Sequence, residues 1–396
     1  MLANIGPHTT PCPGRLFVAD TDRTHKALQE ADHCVKCGLC LPHCPTYRLY
    51  RNENESPRGR ISLTEALMRG QLAANKALRG HIDRCLLCKA CENNCPSGVR
   101  YTEIIDAARA TLGGSAGPAA WIDNPLLPLA GKLARGLHLP GLLGRLAHAL
   151  PPGGALPASG THKPSEPSRG RIGLLLGCVT RTQQPGVLGA AVELLNRLGY
   201  TVEIPVHQTC CGALAEHQGN PDQALQQTER NREAFAGLDS VVSIASACSL
   251  QLLERLPEMR PSDIVQFLAK ALPDSGLRFD APEGRAALHV PCSLHNGLGA
   301  TDQLNRMLGV LPGDAPTPLA SPGDCCGAGG THILTQRDQA TQLREPFLER
   351  LLELRPRYLL TTNIGCALHL AEGALDRGLK LEVLHPVELL VRCLRT

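Results

Sequence analysis

CVKCGLCLPHCP (Cys34 to Pro45) and CLLCKACENNCP (Cys85 to Pro96) share one spacing, Cys-x2-Cys-x2-Cys-x3-Cys-Pro. Three thiolates at three-residue steps can wrap one four-iron, four-sulfur cubane within a single tight loop. The fourth Cys, followed by Pro, leaves that loop extended and reaches a neighbouring cluster. Structural zinc also uses Cys pairs, but it closes one tetrahedron from two separated pairs or from Cys with His. A triplet at two-residue gaps plus a Cys-Pro does not divide that way, so spacing and ligand type favour iron–sulfur. By the cross-ligation habit of two-cluster ferredoxins, one cluster takes Cys34, Cys37, Cys40 and Cys95. The other takes Cys85, Cys88, Cys91 and Cys44. Two such runs predict electron transfer.

Around the runs the chain reads as helix. Residues 1–20 carry Pro7, Pro11, Pro13 and Gly14, which discourage regular structure. A helix over Thr21 to Asp32 leads into the first run. Within the 40 residues between Cys44 and Cys85, Ser62 and Glu65 form a capping-box pattern ahead of Ala66, Leu67, Leu72 and Ala73. After the second run, Thr102 can cap a helix through Leu112, ended by Gly113 and Gly114. The first domain, residues 1–115, is thus expected to be mostly helical with clusters in loops. Residues 116–150 mix Leu and Pro with Lys132, Arg135, His138, Arg145 and His148. Either they form a membrane-surface or partner-docking helix, or a connecting helix pair packed on the same protein. The Pro/Gly/Ser-rich stretch 151–169 reads as an inter-domain linker.

From residue 170 strands alternate with helices. Ile172 to Leu176, Thr201 to Val206, Val241 to Ala245, Ala286 to Val290 and Tyr358 to Thr362 are apolar runs of strand size. Between them lie helical patterns, which predicts α/β architecture with mainly parallel sheets. This half is also an internal repeat, 170–280 and 281–396. Cys178, Cys210-Cys211-Gly212 and Cys248 in one copy match Cys292, Cys325-Cys326-Gly327 and Cys366 in the other. The gap from lead Cys to Cys pair is 31 residues and then 32; from pair to trailing Cys it is 36 and then 39. Matched order predicts duplicated units packed around a pseudo-two-fold axis. Each copy places thiols after strands and near helix N-termini, where ligands bind in open α/β sheets. The bland alternatives are buried small hydrophobes or one redox disulfide. Four cysteines recurring in register exceed what packing requires, so at least one copy is expected to bind a cofactor. Of the 18 cysteines only Cys12 and Cys393 remain, in terminal segments with no expected ligand role.

Composition narrows the class. The 396 residues allow two or three domains, and no N-terminal stretch resembles an export signal. So many thiols without one suggest metal ligation in a reducing cytoplasm. A net charge of +3 on scattered basic residues, with 3% aromatics, argues against nucleic acid. No run approaches twenty uninterrupted apolar residues, so nothing is expected to span a bilayer.

With both halves placed, the chain resembles the bacterial ferredoxin-plus-CCG-repeat family of glycolate oxidase iron–sulfur subunits. The resemblance covers nearly the whole chain. It is carried by RCLLCKACENNCPSGVRY (Arg84 to Tyr101), SPRGRISL (Ser56 to Leu63), CCGAGGTH (Cys325 to His332) and TTNIGCALHL (Thr361 to Leu370). It implies an α+β multidomain fold, a helical two-cluster ferredoxin domain followed by tandem α/β CCG repeats. It further implies an electron-transfer subunit in a hetero-oligomer whose flavoprotein partner carries FAD and oxidises glycolate to glyoxylate. Two 4Fe–4S clusters in the first domain, and one or more further iron–sulfur clusters in the repeats, would pass electrons to a quinone or similar acceptor. A cytoplasmic location follows, at the inner face of the plasma membrane if quinone or the membrane surface is contacted. No catalytic residue is assigned, because GCVTRTQQPG after the strand Ile172 to Leu176 lacks the spaced glycines of a nucleotide fingerprint. The CCG unit is shared with heterodisulfide reductases, lactate-utilisation proteins and anaerobic glycerol-3-phosphate dehydrogenase. A catalytic disulfide or quinone reductase, or a subunit of a related lactate or glycerol-3-phosphate dehydrogenase, is therefore the alternative. The wider family often ends each repeat in Cys-x2-Cys, whereas Gln251 and His369 stand here in place of the last Cys. An ordinary 4Fe–4S cluster becomes the simpler expectation, with His369 a candidate ligand. Arg58 and Arg60 read either as tuning or partner-binding charges or as solvated loop charges.

Overall fold

The computed structural model describes residues 21–114, 150 and 154–395. The expectations for residues 1–20, for 116–149, for 151–153 and for Cys12 lie outside the described residues.

The N-terminal region is helical around two loops: α1 (Thr21–Asp32), α2 (Pro45–Tyr50), α3 (Pro57–Met68), α4 (Lys76–Asp83), α5 (Ala90–Asn93) and α6 (Tyr101–Thr111). Helix α3 starts six residues before the expected capping box. Ser56 is its N-cap, accepting from the Gly59 amide at 2.8 Å, and Pro57 supplies a pre-set φ at the first position. Ser62 lies inside the helix, while Leu72 and Ala73 fall beyond its end. Helix α6 likewise contains Thr102 rather than being capped by it: the Thr102 hydroxyl donates to Glu92 Oε1 at 2.6 Å. Helices α1, α3 and α6 enclose Ala31, Ile61, Ile104, Ile105 and Ala108. Fully buried isoleucines such as Ile104 and Ile105 contribute about 2 kcal/mol each relative to exposure.

The remaining chain forms two sheets of matching topology. The first contains β1 (Gly160–His162), β2 (Arg171–Leu175), β3 (Thr201–Ile204), β4 (Ser240–Ser243) and β5 (Pro261–Asp263), in the order β1-β3-β2-β4-β5. The second contains β6 (Ala286–Leu288), β7 (Thr317–Pro318), β8 (Tyr358–Leu360) and β9 (Glu382–Leu384), in the order β7-β6-β8-β9. All pairings are parallel except β1 against β3, where Thr161 faces Glu203. Part of the stretch expected as a linker is therefore an edge strand. Removing β1 leaves two superimposable orders, β3-β2-β4-β5 and β7-β6-β8-β9.

Helices cover these sheets: α7 (Thr180–Gln183), α8 (Pro185–Arg197), α9 (Ala213–His217), α10 (Pro221–Ala234), α11 (Ser246–Arg255) and α12 (Ile264–Ala271) in the first repeat. The second has a π-turn at Ser293–Gly297, then α13 (Thr301–Leu308), α14 (His332–Thr335), α15 (Arg337–Leu354), α16 (Ile364–Asp376) and α17 (Pro386–Cys393). Helix α8 packs on α17, and α12 on α13. Each contact joins the helix after one repeat's lead strand to the final helix of the other, the reciprocity of a pseudo-two-fold. Leu194 and Leu195, Leu268, Met307, Leu389 and Leu390 merge there into one shared core. Cys393 is part of that core and buried. The expected fold class, α+β with a helical ferredoxin-like region and tandem α/β repeats, holds.

Candidate functional site

The two cysteine loops of the helical region have the same backbone. Lys36 and Gly38 take φ of 55° and 85°; Leu87 and Lys89, at the matching places two after the first Cys and one after the second, take 50° and 58°. Left-handed residues at this spacing curl each loop about a concavity and turn its amides inward. Cys34, Cys37, Cys40, Cys91 and Cys95 line one cavity, with Ile61 and Tyr101 also in its wall. Cys44 instead joins the thiols of the second loop. Burial pushes the Cys91 thiol well above its ordinary range, and Cys88, Cys85 and Cys44 are among the neighbours that add to the effect. The structure thus brings the fourth Cys of each run to the other run's loop. Buried thiols that oppose one another's ionisation fit a cationic metal core, which would relieve all of them together.

Cys37 and its neighbours Val35 and Leu39 are exposed, Val35 by 71% and Leu39 by 56%. The second loop faces inward. Arg109, buried on α6, donates to the Cys85 carbonyl at 2.7 Å and to the His217 carbonyl at 2.8 Å. Arg60 is neither a loop charge nor a docking group: it is 0% exposed, donating to Glu55 Oε2 at 2.6 Å and to the His81 carbonyl at 2.7 Å. Arg58 does lie at the surface, bonding Glu53 at 2.7 Å and the Lys36 carbonyl at 3.0 Å.

In each repeat four thiols meet at the C-terminal sheet edge, between the central strands where the chain switches direction. Cys178 follows β2, Cys210 and Cys211 follow β3, and Cys248 begins α11 after β4. The Cys210 and Cys178 sulfurs are 3.5 Å apart, and the Cys211 thiol hydrogen-bonds Cys210 and Cys248. In the second repeat the Cys325 thiol hydrogen-bonds Cys292, and the Cys326 thiol hydrogen-bonds Cys366. Gly212 and Gly327 close the two Cys pairs at φ of 95° and 87°. A Cβ on Gly327 would lie 2.6 Å from the Ala340 carbonyl oxygen, so the backbone needs glycine there.

His369 is not among these donors. Its Nε2 lies 3.0 Å from the Ala340 carbonyl, its Nδ1 lies 3.4 Å from Arg344, and Arg344 is paired with Glu372. Both ring nitrogens are therefore occupied. The nitrogen near the thiols belongs to His289: its ring, Cys326 and Cys366 offer ligand atoms all within 4.8 Å of one another. The sequence holds a signal for it, since His289 stands three residues before Cys292, where the first repeat has Leu175 before Cys178.

The helical region also meets the second repeat through a cysteine. Burial raises the Cys88 thiol well above its ordinary range, and the next contributor is Cys325. Asn296, from the π-turn after Cys292, donates to the Cys88 carbonyl at 2.9 Å, and Gln339 donates to the Arg84 carbonyl at 3.0 Å. Contacts with the first repeat include the Arg109 bond to the His217 carbonyl and the ion pairs Arg23 with Glu216 at 2.5 Å, His217 with Asp106 at 3.1 Å and Lys89 with Glu254 at 3.2 Å.

Residues 30–99 match a 4Fe-4S dicluster domain, and residues 172–253 and 286–371 each match a cysteine-rich domain of the CCG family. The glycolate oxidase iron–sulfur subunit of Escherichia coli is 31% identical over 86% of this chain and 89% of its own. The chain belongs to the glycolate oxidase iron–sulfur subunit family. A probable member from Bacillus subtilis is 27% identical over 91% of this chain and 93% of its own. Lactate utilization protein A of Geobacillus thermodenitrificans is 29% identical, covering 56% of this chain and 98% of its own. The family is one of oxidoreductase components, and iron–sulfur electron transfer is the function its two domain types carry. Among the described residues no helix is long and apolar enough to cross a membrane.

Proposed function

We propose that this chain is the electron-transfer subunit of a glycolate dehydrogenase complex, set between an FAD-bearing partner that converts glycolate to glyoxylate and a quinone. Cys34, Cys37, Cys40 and Cys95 would hold one 4Fe–4S cluster, and Cys85, Cys88, Cys91 and Cys44 the second. Cys178, Cys210, Cys211 and Cys248, and Cys292, Cys325, Cys326 and Cys366, would hold iron–sulfur groups in the repeats. Bound there, such groups supply one-electron chemistry, which divides a two-electron hydroxy-acid oxidation into single steps.

The approach of the second loop to the second repeat, where Asn296 donates to the Cys88 carbonyl at 2.9 Å and Cys325 opposes ionisation of the Cys88 thiol, is the observation that carries this reading. It makes a continuous series of thiol sets, from the exposed Cys37 loop, through the buried second loop, into the second repeat. The Cys37 loop suits the entry point: it alone of these sets presents exposed apolar side chains, Val35 and Leu39, beside a thiol at the surface. Each other set has buried thiols, Cys44 and Cys85, then Cys178, Cys210 and Cys211, then Cys326 and Cys366, which limits access of water and of reactive acceptors such as oxygen. A location at the inner face of the plasma membrane, beside the quinone, belongs to the same proposal. Cys88→Ser in the assembled complex is the test. Glycolate should still reduce the partner flavin, one ferredoxin-type paramagnetic signal should vanish, and quinone reduction should be lost. Unimpaired glycolate-to-quinone turnover would refute the wiring.

A further inference from the structure

We infer that the second repeat binds its iron–sulfur group through nitrogen as well as sulfur, with His289 Nε2 as the donor. The inference rests on the reading that this repeat holds such a group.

His289 follows β6, the central strand, and its amide donates to the Leu360 carbonyl at 2.9 Å, continuing the ladder onto β8. The ring has one defined orientation. Nδ1 lies 2.9 Å from Thr361 Oγ1, and the ring meets Phe347 edge-on, with centroids 5.4 Å apart at 72°. With the Nδ1 proton directed at Thr361, Nε2 presents a lone pair. That is the tautomer a metal-binding imidazole needs, fixed by the bond its other nitrogen makes. Nε2 has no hydrogen-bond partner, although the residue is 2% exposed. A buried polar atom left unpaired calls for an explanation, and the position of its ring beside Cys326 and Cys366 supplies one.

The first repeat is the internal control. Leu175 occupies the matching position, 1% exposed, and packs against Cys178, Cys210 and Cys211. Strand, turn and Cys pair are shared, so the histidine is not a requirement of the fold. Zinc also accepts Cys with His, but a redox-inert ion there would end the electron path at the Cys88 contact. A neutral imidazole leaves the group less negative than a thiolate at the same position would, and so at a higher potential, as histidine ligation does in other iron–sulfur centres.

The full chain, purified anaerobically from cells fed nitrogen-15 histidine or unlabelled histidine, tests this by pulsed paramagnetic resonance and redox titration. One signal, absent from Cys326→Ser, should carry a histidine-nitrogen coupling that changes with the isotope. His289→Leu should abolish that coupling and leave the ferredoxin-type signals intact, and His289→Cys should lower the potential of the same signal. Wild type alone decides the main point, so a variant that misfolds does not shelter the proposal. An iron signal from this repeat without histidine coupling, or a coupling that survives His289→Leu, overturns the nitrogen assignment only. Zinc in place of iron, or no iron lost in Cys326→Ser, overturns the underlying reading of the repeat.

Discussion

The two repeats have the same strand order and the same four cysteines, yet their thiols meet different surroundings. In the first repeat Leu175, Phe235 and Leu252 wall the set, and Gln251 lies beneath its turn, Nε2 3.6 Å from where a Cβ on Gly212 would sit. In the second, His289 replaces the leucine, and Cys325 opposes ionisation of Cys88 in the helical region. The duplicated backbone thus fixes where thiols gather, and single substitutions around them decide what each set can do. The Asn296 bond to the Cys88 carbonyl and the charge effect of Cys325 on Cys88 are why the proposed electron path continues through the second set.

The sharpest way to break that comparison is to disable each set in turn. Cys326→Ser is expected to lower glycolate-dependent quinone reduction by on the order of tenfold or more, the scale on which disturbed metal shells act. Cys211→Ser should cost less. Steady-state rates of the two complexes, normalised to iron content, decide it; a larger loss in Cys211→Ser would move the path to the first repeat.

A second contrast concerns the turns. Alanine at either Gly212 or Gly327 must adopt a left-handed conformation, costing about 1–2 kcal/mol. At Gly327 the new Cβ would also press on the Ala340 carbonyl at 2.6 Å, whereas at Gly212 the nearest atom is at 3.2 Å. Overpacking adds about 1–3 kcal/mol at Gly327. Thermal unfolding should therefore rank Gly327→Ala below Gly212→Ala; equal midpoints would mean that α15 shifts freely and the turn is not close-packed.

Much of this architecture is legible in the amino-acid sequence. The two Cys-x2-Cys-x2-Cys-x3-Cys-Pro runs, the helix Thr21–Asp32 and the strands β2, β3, β4, β6 and β8 all lie in strong local patterns. What escapes lies where local pattern is weak. β1, β5, β7 and β9 have two or three residues each, too few for periodicity to register. β6 and β8 are as short, but they sit within the longer runs Ala286 to Val290 and Tyr358 to Thr362. Ser62 and Glu65 imitate a cap inside a helix that Ser56 and Pro57 begin. Arg60 reads as a loop charge until Glu55, distant from the sequence's apolar pattern, turns out to be buried with it. His369 sits one turn beyond Cys366, as a ligand would, but Arg344 and Ala340 claim its ring. His289 is the accessible one: aligning the repeats on Cys178 and Cys292 sets it opposite Leu175.

The repeats also end alike and titrate oppositely. Asp263 caps α12, accepting from the Val265 amide at 2.9 Å, and His385 caps α17, accepting from the Val387 amide at 3.2 Å. Burial acts on both and favours the neutral form of each. It raises the Asp263 carboxyl to about 7 against the bonds from Ser249 and Val265, and lowers His385 to about 3. The signs follow by linkage. Below 3.8, the ordinary carboxyl value, Asp263 is protonated in folded and unfolded chains alike; as pH climbs to about 7 only the unfolded chain ionises, and stability is lost. For His385 the unfolded chain gains a proton as pH falls below 6.5, so stability is lost on the acid side, down to about 3. Glu388, raised by burial to about 7 in the same capping box, adds an alkaline-side loss, so each variant is compared with wild type at every pH. Asp263→Asn keeps an acceptor for Val265 and should gain midpoint relative to wild type from about pH 4 to 7, then hold that gain. His385→Asn should gain instead as pH falls below about 6. A pH-independent difference for both variants would mean that water reaches these caps and that neither repeat end is as dry as its packing indicates.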